Sequence, residues 1–74
     1  MRKKLSEMKY GEEGVVDSVS EDIKSKAAGM GIRVGRKLKM DTKQPIKGPV
    51  VVAVDGSTVS LGLEIADKVS VEVE

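Results

Sequence analysis

No cysteine, histidine, tryptophan or phenylalanine occurs among the 74 residues, and each absence closes off a chemistry. Without cysteine there is no disulfide and no thiol redox step, which fits a reducing compartment. Without cysteine and histidine, a zinc- or iron-type site has neither thiolate nor imidazole to draw on. The adjacent pairs Glu12-Glu13 and Glu21-Asp22 offer only a weak hard-cation site. Ser–His nucleophile pairs are impossible, and so small a chain has little room for a cleft around a carboxylate dyad. No enzymatic activity and no cofactor are expected. Tyr10 is the one aromatic residue. Single-strand nucleic-acid binders stack bases on aromatic side chains, and proline-rich peptides lie in aromatic-lined grooves; both lose their platform here. Long apolar runs are missing too. The basic start Met1-Arg2-Lys3-Lys4 is followed by Ser6, Glu7, Lys9, Glu12 and Glu13 instead of the apolar core of a signal peptide. Nothing approaches the roughly 20 apolar residues of a membrane span. The expectation is one soluble, cytoplasmic domain over 1–74 with no membrane insertion.

What is present is charge, unevenly placed. The net charge is +1. Residues 24–47 carry eight cations against Asp41 alone, a net of +7, while residues 48–74 carry Lys68 against five carboxylates, a net of −4. A basic face of this kind can meet an acidic partner or a phosphate. Alternation in a barrel would equally put lysines on a solvated exterior.

The pattern along the chain is that of short strands. Leu5, Met8 and Tyr10 form an apolar opening, and Gly11-Glu12-Glu13-Gly14 reads as a turn. Val15–Val19 is a first strand, rich in β-branched residues. A short helix follows, with Ser18 or Ser20 as its cap and Ser18–Glu21 at capping-box spacing. Ile23, Ala27 and Met30 fall on one inward stripe, and Gly31 suits the left-handed position after the helix. Gly35 closes a tight turn into a second strand, Arg36–Asp41, where Leu38 and Met40 alternate with charges. Val50–Val54, apolar on both faces, is the third strand; its outer face must be covered or form a patch, a hint of self-association. Asp55-Gly56 is a type I′ hairpin signal, with Gly56 at positive φ. Ser57–Leu61 and the alternating Val69, Val71 and Val73 complete five strands, joined by a one-turn connector at Leu63–Ala66. The expected fold is mainly β: a five-stranded, partly open barrel with one short helix inserted after the first strand. Gly29, Gly31 and Gly35 follow the helix and so make no dinucleotide-binding fingerprint.

Several motifs, in order, resemble the ferrous iron transport protein A (FeoA) family over residues 5–73. Leu5 to Gly11 is similar to its opening. Met30-Gly31-Ile32-Arg33-Val34-Gly35 is similar to its helix exit, and Pro45 and Gly48-Pro49 fall in its proline-containing loop. Leu61, Ala66 and Val69-Ser70-Val71 are similar to its closing pattern. Lys26, Ala27 and Gly62 depart from residues common in the family. The resemblance implies an SH3-like barrel that serves ferrous-iron uptake by contact with the membrane transporter FeoB and its cytoplasmic GTPase domain, without ligating metal. It places the partner contact at Met30, Ile32, Arg33 and Val34, with Pro45 nearby, although Met30 and Ile32 equally suit core packing. Arg33 or Arg36 could serve as an arginine finger for the partner's GTPase. Gly31, Gly35 and Gly56 are expected to be structural. A related fold forms the C-terminal domain of some iron-dependent repressors, but no helix-turn-helix pattern precedes it here. The alternative is a basic small barrel that binds nucleic acid or ribosome through Lys24 to Lys47, which the lone aromatic disfavours.

Overall fold

Period-two alternation of valine, leucine and methionine with polar residues builds this protein. The computed structural model describes residues 1–43 and 48–74. Among them six strands form one antiparallel sheet: β1 (Arg2–Lys4), β2 (Glu13–Val19), β3 (Lys37–Lys43), β4 (Val50–Val54), β5 (Ser57–Leu61) and β6 (Val69–Val73). Their order is β1-β6-β2-β3-β4-β5. The curled sheet packs its inner residues against α1 (Lys24–Gly29), the single turn α2 (Leu63–Ala66) and the 3-10 turn Leu5–Glu7. The core contains Leu5, Met8, Val16, Ala27, Ile32, Leu38 and Met40, then Val50, Val52, Val54, Leu61, Ile65, Val69 and Val71. Among the described residues no polar or charged side chain is buried, so the core carries no desolvation penalty from unpaired polar groups.

The sixth strand is β1, which lies outside the sequence expectation. Arg2-Lys3-Lys4 carries no apolar signal. It pairs at the sheet margin with β6, Lys3 opposite Val71, where charged residues are tolerated. Two register shifts bend the sheet, between Val16 and Ser18 in β2 and between Met40 and Thr42 in β3; bulges of this sort raise local twist. The strand expected from Arg36 to Asp41 runs instead from Lys37 to Lys43.

The expected helix cap is not formed. Ser18 lies inside β2, and the Ser20 hydroxyl hydrogen-bonds the Asp22 carboxylate at 2.6 Å. A 3-10 turn, Glu21–Ile23, leads into α1 instead. The helix exit is as expected. Gly31 has φ +84°; its N–H donates to Ala28 O at 3.0 Å, and the Ile32 N–H reaches back to Ala27 O at 2.9 Å. That pair of bonds is the Schellman arrangement, and it brings apolar Ile32 against Ala27. Asp55 and Gly56 have φ of 51° and 77° between the flanking pair Val54 and Ser57, as a type I′ turn requires.

Gly14 corrects the expected Gly11–Gly14 turn, because it is a buried residue of β2 facing β6. A Cβ there would stand 2.5 Å from Val71 Cγ1 and 2.7 Å from the Glu72 carbonyl oxygen. The turn ends at Glu12, whose carboxylate accepts the Lys9 N–H at 2.7 Å and the Lys3 ammonium at 3.1 Å. These bonds, the backbone one foremost, hold the Glu12 carboxyl below its ordinary value.

Two measurements check this account. Gly14→Ala should cost about 1–3 kcal/mol through overpacking, whereas Gly29→Ala, with open space around its Cβ, should gain up to about 1 kcal/mol from helix propensity. Urea unfolding followed by far-UV circular dichroism separates the two. Because the Glu12 carboxyl is lowered in the folded state, its stabilisation is complete above the unfolded-state pKa and is lost as pH falls through the folded one. Thermal melts from about pH 5 down to about pH 3 should therefore fall less steeply for Glu12→Gln than for the wild type, with the variant less stable at neutral pH.

Candidate functional site

The Schellman closure divides the helix-exit segment into two sets of side chains. Ile32 is 1% exposed and belongs to the core, and Met30 is partly buried against it. Both therefore take the core-packing role that their apolar character also allowed, with Ile32 closing the inner side of the segment. Arg33 and Val34 point the other way. Residues Arg33 to Arg36 form a tight turn, with the Arg36 N–H donating to Arg33 O at 3.1 Å and Gly35 at φ +93°, the value a type II turn asks of its third residue. Reciprocal bonds of 2.9 Å from Gly35 N to Val16 O and from Val16 N to Arg36 O fasten this turn to β2. Val34 is left 61% exposed at the turn's tip. Pro45 lies outside the described residues.

Beside the turn is a concavity of about 370 Å³ lined by Val19, Lys24, Ala28, Ile32, Arg33 and Val34. Its floor and walls are aliphatic, and its two cations come from α1 and from the turn. Val19 and Ala28 are not among the residues expected at a site, and Lys24 is expected only as part of the basic face. The four-residue spacing of Lys24 and Ala28 would have placed them on one helix face, but Val19 joins only through the fold, as the last residue of β2.

Charge pairing sorts the basic segment. Arg36 is held by Asp55 at 2.7 Å, Lys24 approaches Glu21 at 3.6 Å, and Lys37 lies 3.8 Å from both Glu13 and Glu74. Three of the eight cations of residues 24–47 are thus answered by carboxylates from elsewhere in the chain. Among the described residues, the Arg33 guanidinium has no hydrogen bond and no ion pair, and it stands in the wall of the concavity. No three His, Cys, Asp or Glu residues among those described converge to hold a metal ion. No helix is long and apolar enough to cross a membrane among the described residues.

The inward–outward division is measurable. Ile32→Ala should cost about 2–5 kcal/mol, and Val34→Ala should stay within about 0.5 kcal/mol, in the same urea titration. Similar costs for the two would mean that the turn is seated differently.

Comparison with known proteins gives a consistent outcome. A family model described as the FeoA domain matches residues 3–73. A protein assigned as the Fe(2+) transport protein A of Methanocaldococcus jannaschii is 34% identical over 70 residues, which cover 92% of this chain and 83% of that one. The fold matches the crystal structure of an iron uptake regulatory protein (FeoA) with a TM-score of 0.91 and 28% identity, over 100% of this chain and 99% of the other. It also matches a manganese-dependent transcriptional repressor with a TM-score of 0.89 and 25% identity, over 99% of this chain but 42% of the repressor. The mainly β, SH3-like fold read from the residues therefore has solved counterparts, and the chain belongs to the FeoA-domain family.

Proposed function

We propose that this chain is a cytoplasmic accessory protein of ferrous-iron uptake that docks on a FeoB-type transporter, at its GTPase domain or its membrane core, and regulates it by contact. Family membership supplies the iron-uptake context. The observation that carries the docking surface is the unpaired Arg33 in the wall of an aliphatic concavity closed by Val34, Val19 and Ala28. Surface arginines usually find a carboxylate where one is near. One held free on a rigid turn beside apolar surface is suited to an acidic group flanked by aliphatic side chains. The donor inventory agrees with a contact role: iron is the transporter's cargo, and this chain has no thiolate or imidazole with which to compete for it. Arg36 is engaged by Asp55, so of the two arginines near the helix exit Arg33 is the one available for a partner's carboxylate or phosphate.

The test is a titration of the protein against the transporter's soluble cytoplasmic domains and against the full membrane protein. Arg33→Glu should weaken binding at least about tenfold, by loss of the attraction and by like-charge juxtaposition. Folding stability should move by no more than about 0.5 kcal/mol, as for other exposed substitutions. Absence of binding by the wild type to every transporter preparation would sink the proposal. Equal binding by wild type and variant would remove the concavity as the docking surface.

A further inference from the structure

The two margins of the sheet are built differently. β1 is three residues long and wholly cationic, Arg2-Lys3-Lys4, a composition that discourages a further strand. β5 is Ser57-Thr58-Val59-Ser60-Leu61, with neither charge nor proline. Its register with β4 pairs Val54 with Ser57, Val52 with Val59 and Val50 with Leu61. The two-residue turn makes Val54 and Ser57 a hydrogen-bonded pair, and antiparallel alternation gives the same status to the other two. The N–H and C=O of Thr58 and Ser60 therefore point away from β4. No strand lies beyond them, and no backbone hydrogen bond reaches them among the described residues. Next to this open edge, on the outer face of β4, are Val51 and Ala53, only half-buried and paired with Ser60 and Thr58.

We infer that β5 is a self-association edge, joined antiparallel by the β5 strand of a second copy of this chain with a two-fold axis at Val59. The edge is self-complementary in that register. Thr58 stands opposite Ser60 of the partner subunit, and Ser60 opposite Thr58 of the partner subunit, so the outward N–H and C=O groups satisfy one another in four hydrogen bonds. The same pairs set hydroxyls side by side on the outer face, a favourable cross-strand combination. Val59 meets Val59 of the partner subunit in the closer, non-hydrogen-bonded position on the other face. A two-fold axis sets each charge near its own copy, and β5 has none to repel. A second copy is thus favoured over an unrelated strand, because the edge supplies its own complement. The interface is confined to one short strand and its flank, which places the association in the weak class.

Sedimentation equilibrium from about 10 μM to about 1 mM tests this on the whole chain. The wild type should show a reversible monomer–dimer equilibrium within that range. Ser60→Lys places like charges across the axis, and Thr58→Pro removes an outward N–H that the isolated fold does not use. Each should raise the dissociation constant at least about tenfold. Ser60→Lys should melt close to the wild type; if Thr58→Pro unfolds the chain, Ser60→Lys alone decides. A wild type that stays monomeric up to the highest concentration would overturn the inference, and so would a dimer unaffected by Ser60→Lys. Neither result bears on transporter docking, which is measured with Arg33→Glu.

Discussion

One backbone closure organises the helix-exit end of this molecule. At Gly31 the helix is terminated by two backbone bonds, Gly31 N–H to Ala28 O and Ile32 N–H to Ala27 O. They require a left-handed residue, which glycine adopts without strain. The immediate result is that Ile32 turns into the core. The next is that Arg33 and Val34 turn out of it, on a turn that Gly35 permits and β2 fastens. An L-residue with a bulky side chain at position 31 would disturb the helix end, the core contact of Ile32 and the wall of the concavity together, because all three are fixed by the same reversal of the chain.

Much of this was legible from local patterns. Strands β2 to β6 are visible as β-branched or alternating runs, the hairpin at Asp55-Gly56 follows from the φ values those residues accept, and the helix exit follows from a glycine placed one residue beyond an apolar stripe. What was not legible depended on distant partners. β1 is a strand because β6 presents an edge to it, and nothing in Arg2-Lys3-Lys4 says so. Gly14 looked like turn punctuation beside Gly11, and only the closeness of Val71 and the Glu72 backbone shows why a side chain has no room there. The Ser18–Glu21 capping spacing was present in the sequence but lost to the sheet, since Ser18 was needed opposite Ser70 in β6. For the site, local patterns single out the helix-exit segment but not which residues face which way. It gave Ile32 and Arg33 the same standing, and a backbone reversal separates them.

Ion pairing makes the basic segment less of a cationic surface than its composition implies. Arg36, Lys37 and Lys24 are each within reach of a carboxylate, and exposed pairs of this kind contribute little to stability. They reduce the field around the helix exit, where the Arg33 guanidinium has no ion pair among the described residues. Apolar surface beside one free guanidinium favours a partner matched in shape over a merely polyanionic one.

The lone aromatic residue has a practical consequence. Tyr10 is 78% exposed and lies in the turn that hydrogen-bonds to β3 through Gly11 and Met40, outside the core. With no tryptophan in the chain, ultraviolet absorbance and intrinsic fluorescence have Tyr10 as their one side-chain reporter. A near-ultraviolet absorbance or fluorescence signal from this protein therefore follows the solvent around a surface turn and does not report the packing of its aliphatic interior.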